Sequence, residues 1–364
     1  MLQFFPSRTL TWYLAKLFVG RIVAVLLMLV LVLQALDLLS ESGKILGVAG
    51  NDQSDLWHYA SLRIPQLVAR FLPYSVLLAT IITLATLNQN SEVIAMKASG
   101  MSAHQVLAPL LMTAALVSAI SFVFNERVVT RSTAALKAWQ AVEYKAIPKD
   151  PATRTNVYFR DGTNILAAGA VSGSGAATVM ENVTWYRRDA NGMVVEQLRS
   201  PRATFASPGW TLVSPVRFDV ASTVRTELPT RVVAKDVTPA QVAITKVDPD
   251  AQDAITLYRS IQAMKAAGRR TSELEGKWWH KFSGPLSALL MPLLGAIAAF
   301  GLARSGQLLI RAVLGMALGF AYFVVDNAAL AMGNFGAYPP LIAAWAPFVL
   351  FALIGETVLV RTEE

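Results

Sequence analysis

Six long apolar segments are the feature that most constrains the fold of this chain. A bilayer core about 30 Å thick requires about 20 predominantly apolar helical residues, and each segment approaches or reaches that length. They form two groups of three around a more polar middle region. The segments are residues 17–36, 71–87, 106–124, 282–303, 308–330 and 339–355. The pattern predicts a polytopic α-helical membrane protein with six transmembrane helices, arranged three and three.

The composition argues against a single soluble globule. Of the 364 residues, 54% are hydrophobic and only 15% are charged, whereas soluble domains average about 45–50% apolar and about 25% charged residues. The formal charge is 32 − 24 = +8, but the basic residues collect in the middle and form no stripe typical of nucleic-acid binding. Because the chain has no cysteine, a disulfide framework, a thiolate metal site, a lipoprotein anchor and a cysteine nucleophile are excluded.

The distribution of Lys and Arg in the short flanks predicts the orientation, since positive residues are retained in the cytoplasm. One side would hold Arg8, Lys16, Arg21, Lys97, Arg304, Arg311 and Arg361, whereas the other short loops hold only Lys44 and Arg63. Both termini are therefore expected in the cytoplasm, with residues 37–66 and the middle region in the periplasm. A signal peptide is the rival interpretation of residues 22–36, but no clear small-x-small cleavage site follows them.

The middle region, residues 126–281, is predicted to be an inserted domain between membrane parts at 1–125 and 282–364. Alternating or β-branched runs predict strands at 155–160, 164–171, 177–187, 193–207, 210–220 and 223–234. Turn signals at 161–162, 172–175, 189–192 and 207–209 separate them. We therefore expect a periplasmic β-sandwich or β-jelly roll of about 110 residues.

Helices are expected on both sides of these strands. Charged residues from 126 to 149 indicate a helical extension of the third span. After Asp248-Pro249-Asp250 the period changes to about 3.6. The expected short helix would end at Gly268, and its predicted common face consists of Ile255, Tyr258, Ile261, Gln262 and Lys265.

Motifs for nucleotide binding or hydrolysis are missing from the sequence. It contains no GxxxxGK[ST], no GxSxG and no HExxH pattern. His58, His104 and His280 are far apart in sequence, so a metal site is not expected. An enzyme acting alone is a weak hypothesis. Gly315 and Gly319 form a small-xxx-small pattern that more often marks helix packing than transport chemistry.

The turn between the second and third spans, residues 90–102, is about the only cytoplasmic loop able to form its own helix. Ser91 can cap it, Glu92 and Lys97 complement its dipole, and Gly100 can end it. Glu92, Met96 and Ser99 are spaced to share one face. That face suits a groove on a cytoplasmic partner, although a plain amphipathic turn at the bilayer surface explains the same pattern.

Residues 91–100, Ser-Glu-Val-Ile-Ala-Met-Lys-Ala-Ser-Gly, resemble the corresponding turn of the LptF/LptG permeases of the lipopolysaccharide export system. Residues 247–250 with the following helix, 279–287 and 322–327 are similar to the same family, so the resemblance covers essentially the whole chain. The Asp-Pro-Asp stretch and Asp326 resemble LptG more than LptF.

This resemblance implies a permease subunit of an ABC transporter that extracts lipopolysaccharide from the inner membrane. It would pair with a homologous LptF-like six-span permease above a dimeric LptB-like ATPase, which binds the ATP and Mg²⁺; this chain would hold no cofactor. LptC-like and LptA-like jelly-roll proteins would continue the periplasmic bridge. The implied ATPase-coupling residues are Glu92, Val93, Met96, Ser99 and Gly100.

The substrate carries phosphates, so the resemblance also implies a basic rim near the outer leaflet. The candidate substrate-binding residues are Lys44, Arg63, Arg70, Arg127, Arg131 and Lys137. The chain departs from its relatives near the ends of spans one and two, where they carry Lys. This sequence has Gln34, Ser40, Glu41 and Gln66 there.

Two other functions fit parts of the pattern. One is a non-transporting membrane scaffold or sensor with a periplasmic ligand-binding β-domain. The other is a lipoprotein-releasing type of permease, which normally has four spans per chain and is disfavoured by the six predicted here.

Overall fold

The structure, a computed structural model, describes residues 6–146, 154–173, 177–239, 242, 247–266, 269–300 and 308–361. The chain divides into two compact units. A helical unit combines Met1–Ala146 with Asp248–Glu364, and a β unit occupies Ile147–Val247. The helical segments that flank the predicted strands therefore belong to the helical unit.

The helical unit contains nine α-helices within the described ranges. They are α1 (Arg8–Leu46), α2 (Gln53–Gln89), α3 (Glu92–Ala98), α4 (Ala103–Phe124), α5 (Thr130–Ala141), α6 (Ala254–Ala266), α7 (Ser272–Phe300), α8 (Leu308–Asn334) and α9 (Pro340–Arg361). Two long helices start with capping boxes, Asp52 with Asp55 before α2 and Ser102 with Gln105 before α4. Each box pairs N–H groups that the first helical turn leaves without a partner.

Five helical stretches of the described chain are long and apolar enough to cross a membrane. They are Arg8–Leu46, Gln53–Gln89, Ala103–Ala141, Val313–Asn334 and Pro340–Arg361. They contain the first, second, third, fifth and sixth predicted segments, except for residues 308–312 of the fifth and residue 339 of the sixth. The fourth predicted segment lies in α7 as far as Phe300, and residues 301–303 are outside the described residues.

Helix α7 packs against α2, α4, α8 and α9, whereas α1 packs against α2 and α4. Close crossings depend on glycine. A Cβ added at Gly319 in α8 would collide with the Leu77 side chain of α2, and one at Gly295 in α7 would lie 2.7 Å from Thr80 Cγ2. The packing role predicted for Gly319 is confirmed.

The third long helix continues beyond the apolar segment, as the sequence predicted. A π-helical turn, Asn125–Val129, joins α4 to α5. Within this turn, Glu126 Oε2 accepts a hydrogen bond of 2.5 Å from the Ala254 N–H at the start of α6. Its Oε1 lies 3.3 Å from Lys281 Nζ in α7. Glu126 thus connects three helices and supplies a negative charge at the N-terminus of α6.

The predicted common face of α6 coincides with its buried face only at Ile261. Its buried residues are Leu257, Ile261 and Met264, whereas Ile255 and Tyr258 are 65% and 48% exposed. Both sets follow a helical period, so apolar spacing alone could not choose between them. Packing against α7 determines which set is buried. The predicted end of the helix at Gly268 lies outside the described residues.

The β unit is an eight-stranded antiparallel sheet. Its strands are β1 (Arg154–Asp161), β2 (Asn164–Ser172), β3 (Val179–Arg188), β4 (Val194–Ala206), β5 (Gly209–Val213), β6 (Val216–Asp219), β7 (Arg225–Glu227) and β8 (Thr230–Val233). The main path is β1-β2-β3-β4-β5-β8, while β6 pairs with β4 and with β7. One face carries the core, in which Leu166, Met180, Leu198, Trp210 and Leu212 are fully buried.

A crease interrupts this sheet at two of the predicted strands. The run 210–220 divides into β5 and β6 at Ser214-Pro215, and the run 223–234 divides into β7 and β8 at Leu228-Pro229. The breaks are adjacent, because the Ser214 N–H donates to Pro229 O and the Leu228 N–H donates to Pro215 O. Proline causes them, since it has no N–H for the ladder and its φ is fixed.

The crease continues into β4 and β3. Ser200, just before Pro201, donates its hydroxyl hydrogen bond to Val213 O at 2.6 Å or Arg202 O at 2.8 Å. In β3, Asn182 interrupts the register opposite this point with a φ of 50°. The three prolines recur at 14-residue intervals, so successive antiparallel strands bring them to one line.

Candidate functional site

Helix α3 ends as the sequence predicted. Gly100 has a φ of +87°, a left-handed conformation that glycine adopts without a side-chain penalty. The Gly100 N–H bonds Lys97 O at 3.0 Å, and the Met101 N–H bonds Met96 O at 3.2 Å. This pair of bonds is a Schellman motif, which satisfies the last carbonyl groups of the helix.

The start of α3 differs from the prediction. Ser91 occupies the N-cap position, but its φ is 61° and its side chain makes no capping hydrogen bond. The left-handed backbone replaces the extended N-cap conformation that such a bond typically requires. Glu92 remains in the first turn, where the positive end of the helix dipole stabilises its carboxylate.

The predicted common face of α3 is also wrong. Met96 and Val93 are each 8% exposed and belong to the apolar core of the helical unit, together with Leu14 and Phe18 of α1. Ser99 is exposed, so Met96 does not share an accessible surface with it. The spacing i, i+4, i+7 identifies neighbours along a helix but not the side that meets the chain's own helices.

A hydrogen bond from α1 holds the Glu92 carboxylate. Tyr13 Oη donates at 3.1 Å to Oε2 or at 3.3 Å to Oε1, and Asn90 Nδ2 lies 3.3 Å from Oε1. Sequence reasoning missed Tyr13. The sequence signal for this role is weak: Tyr13 carries a hydroxyl group and lies at the start of a long apolar helix.

Three of the six predicted basic residues form ion pairs within the chain. Lys44 Nζ is 2.8 Å from Glu41 Oε1, and Lys137 Nζ is 2.5 Å from Asp248 Oδ2. Arg63 binds both carboxylate oxygens of Asp37, at 3.1 and 3.2 Å. These cations have carboxylate partners and cannot all be free for an anionic ligand.

The other three are available. Arg70 in α2, Arg127 in the π-helical turn and Arg131 in α5 are exposed, and no carboxylate pairs with them in the described part of the chain. Arg127 and Arg131 are about one turn apart. The structure therefore divides the predicted basic rim into a paired half and an unpaired half.

The ends of α1 and α5 and the start of α2 form a compact cluster. Ile45, Tyr59, Leu136, Trp139 and Tyr144 are buried together. Tyr144 donates to Glu41 at 2.8 Å and Tyr59 donates to Asp37 at 2.6 Å. Burial, and then the bond to Glu41, raises the pKa of Tyr144, while a bond from Gln140 acts against the rise. The carboxylates that pair with Lys44 and Arg63 thus also hold this cluster together.

Gln34, in the apolar part of α1, is only 7% exposed. Neither its Nε2 nor its Oε1 has a hydrogen-bond partner within the described structure. An unpaired buried amide costs about 1–3 kcal/mol. The described residues also include no group of three or more His, Cys, Asp or Glu side chains placed to hold a metal.

Several helices that can cross a bilayer, a short amphipathic helix between two of them and an inserted antiparallel β unit define a class: a multi-span membrane protein with an extramembrane β-domain. A family model described as "Lipopolysaccharide export system permease LptF/LptG" matches residues 12–361. Since this match covers nearly the whole chain, the protein belongs to that family, and the resemblance found in the sequence is confirmed.

Individual relatives carry the LptG name. The lipopolysaccharide export system permease protein LptG of Escherichia coli strain K12 is 24% identical over 369 residues, covering 98% of this chain and 99% of that protein. LptG of Haemophilus influenzae strain Rd is 22% identical over 355 residues, covering 95% and 96%. The likeness to LptG expected from the sequence is therefore confirmed.

Proposed function

We propose that this chain is a permease subunit that exports lipopolysaccharide from the inner membrane, driven by ATP hydrolysis in a separate subunit. The observation that carries the proposal is the family match over residues 12–361, supported by end-to-end similarity to LptG proteins. The protein is then a transport subunit, and ATP and Mg²⁺ belong to its partner.

The proposed arrangement has six spans, with α7 as the fourth beside the five long apolar helices. Residues 282–300 of α7 carry no charged side chain, which supports a membrane position. Both termini lie in the cytoplasm, and the β unit is a jelly roll in the periplasm. The domain limits 1–125, 126–281 and 282–364 remain the proposed division by topology.

The proposed ATPase contact is α3. Glu92, Ser99 and Gly100 lie at its ends, while Val93 and Met96 reach the helical core. A dimeric LptB-like ATPase that closes on nucleotide would press on the ends of α3. The buried side chains would carry that displacement to the core. Glu92, Ser99 and Gly100 would thus contact the ATPase, and Val93 and Met96 would transmit the movement.

The proposed substrate contacts are basic. Arg70, Arg127 and Arg131 can donate hydrogen bonds directly to lipid phosphates, because bidentate arginine–phosphate bonds are strong. Lys44, Arg63 and Lys137 would first have to exchange their carboxylate partners for the substrate. Lipopolysaccharide would enter between this chain and a homologous LptF-like permease and pass to LptC-like and LptA-like jelly rolls.

The test is gentle extraction from the native membrane followed by mass spectrometry of the attached proteins and lipids. Recovery of a nucleotide-binding subunit, a second permease and lipopolysaccharide is expected. The purified complex should then release lipopolysaccharide from liposomes only with hydrolysable ATP. A chain recovered alone and lipid-free, from a preparation that preserves other ABC complexes, would favour a scaffold or sensor.

A further inference from the structure

A cavity of about 470 Å³ lies at the crease of the β unit. This volume falls within the range of about 300–1,000 Å³ that is typical of small-molecule sites. Asn182, Ser200, Pro201 and Ser214 mark the crease, and all four line the cavity. The cavity is therefore a consequence of the proline breaks.

The register places the side chains of the cavity wall on one face of the sheet. Gln197 is opposite Phe218, and Phe218 is opposite Arg225, so these three point to the same side. Arg199 follows Gln197 by two residues and shares that side. The intervening Leu198 points to the other face, where it is fully buried in the core.

The arginines on the two faces of the sheet differ in whether a carboxylate lies near them. On the core face, Arg187 Nε and Arg217 Nε each lie 2.8 Å from the buried Glu196 carboxylate. On the cavity face, neither Arg199 nor Arg225 has a carboxylate within ion-pair distance among the described residues. None of the residues that line the cavity is acidic. The cavity therefore presents two uncompensated guanidinium groups.

The remaining wall is amphipathic. Arg225 Cζ lies 5.9 Å from the centroid of the Phe218 ring, which places a cation beside an aromatic surface. Asn182 and Gln197 supply amides that both donate and accept hydrogen bonds. Together, the cation, the aromatic ring and the amides match a small ligand that carries an anionic group and hydroxyl groups.

We propose that the crease cavity binds an anionic saccharide, a sugar that bears a phosphate or carboxylate. The arginines bind the anion, the amides bind hydroxyl groups, and Phe218 contacts the apolar face of the ring. The inference does not rest on the proposed export function, because the saccharide headgroup of a lipid and a free sugar phosphate share this chemistry.

The experiment uses the full chain in phosphatidylcholine nanodiscs and ligand-observed saturation-transfer NMR. Glucosamine 1-phosphate should bind saturably, and more strongly than glucosamine or inorganic phosphate alone. The double variant Arg199→Gln/Arg225→Gln should bind at least about tenfold more weakly, because two charge-assisted hydrogen-bonding groups are lost. Arg202→Gln, an exposed arginine of the same strand outside the cavity wall, is the matched control and should bind normally.

Three results would overturn the proposal: no saturable binding, equal binding of inorganic phosphate and glucosamine 1-phosphate, or equal losses in the double variant and Arg202→Gln. Thermal unfolding of each variant verifies that the β unit is intact. Deacylated lipopolysaccharide separates the two ligand sources. Binding much tighter than that of the monosaccharide identifies the lipid headgroup, and equal binding identifies small sugar phosphates.

Discussion

The phenolic hydroxyl of Tyr13 in α1 donates a hydrogen bond to the carboxylate of Glu92 in α3, 79 positions along the chain. Beside this bond, Val93 and Met96 pack in the same core as Leu14 and Phe18. The hydrogen bond thus joins the short helix directly to the first long helix, and both helices contribute side chains to one apolar core. A displacement of α3 would reach α1 directly.

Glu92→Lys should leave the chain folded but reduce lipopolysaccharide release per ATP hydrolysed by at least about tenfold. The reversal removes the acceptor of Tyr13 and places a positive charge at the positive end of α3, where it is unfavourable. The measurement is ATP hydrolysis and lipid release in the same proteoliposomes. Equal release per ATP in the variant and the parent would contradict a coupling role.

Glu92 has two roles to separate, the hydrogen bond with Tyr13 and the proposed contact with the ATPase, and Tyr13→Phe is the control that does so. It removes the hydrogen bond within the chain but keeps the carboxylate. A hydrogen bond contributes a net stabilisation of about 0.5–1.5 kcal/mol. Loss of the Tyr13 bond alone should therefore reduce release per ATP by about tenfold at most. A loss as large as that of Glu92→Lys would assign the effect to the Tyr13 bond rather than to a partner contact.

The unpaired arginines should dominate lipid binding. Arg127→Gln/Arg131→Gln should weaken lipopolysaccharide binding and reduce its dependence on salt, because two uncompensated charges are removed. Lys44→Gln is the comparison, since Glu41 already compensates that cation at 2.8 Å, and it should change binding little. Titration of the chain in nanodiscs at several salt concentrations tests this, and a larger effect of Lys44→Gln would reverse the assignment.

Asp248→Asn should strengthen lipopolysaccharide binding. The substitution removes the negative charge 2.5 Å from Lys137 Nζ, while an asparagine oxygen can still accept the Asp250 N–H that Asp248 Oδ1 now binds. Asp250→Asn removes the same charge two residues away and controls for net charge. The same titration measures both variants, and equal gains would show that only the total charge matters.

The sequence predicted the long helices and β1 to β4 because their signals are local. Apolar runs specify α1, α2 and α4, and alternating or β-branched runs separated by Asp-Gly and Asn-Gly turns specify the hairpins. The breaks at Ser214-Pro215 and Leu228-Pro229 were missed, although proline inside a predicted strand signals such a break. The 14-residue interval between Pro201, Pro215 and Pro229 was not recognised as a signal, and only the strand register shows that the breaks align.

The candidate site was harder to predict, since pairing depends on residues far apart in the chain. Arg63 and Asp37 are 26 positions apart, and Lys137 and Asp248 are 111 apart. Basic residues could be found by type and position, but nothing local distinguishes the paired Lys137 from the unpaired Arg131. The orientation of α3 likewise depends on the common core of the helical unit, to which residues as distant as Leu14 and Phe18 contribute.

Gly295→Ala should lower the thermal stability of the chain. The added Cβ would lie 2.7 Å from Thr80 Cγ2, and Thr80 cannot rotate away freely because its Oγ1 bonds Val76 O at 2.7 Å. Overpacking of this kind costs about 1–3 kcal/mol. Gly20→Ala meets nothing within 4 Å and should be neutral or stabilising. Thermal unfolding in one detergent compares the two, and equal stability would contradict the close crossing.

Glu126 should control the order of α6. Glu126→Gln keeps an oxygen that can accept the Ala254 N–H but loses the charge facing Lys281 3.3 Å away, whereas Glu126→Ala loses both contacts. Because an N-terminal capping bond contributes about 0.5–2 kcal/mol, amide exchange in the first turn of α6 should accelerate in the order parent, Gln, Ala. Hydrogen exchange with mass spectrometry resolves this turn from α7. If both variants exchanged at the parent's rate, packing of Leu257 and Ile261 against α7 would be sufficient to hold the helix, and the π-helical turn would not control it.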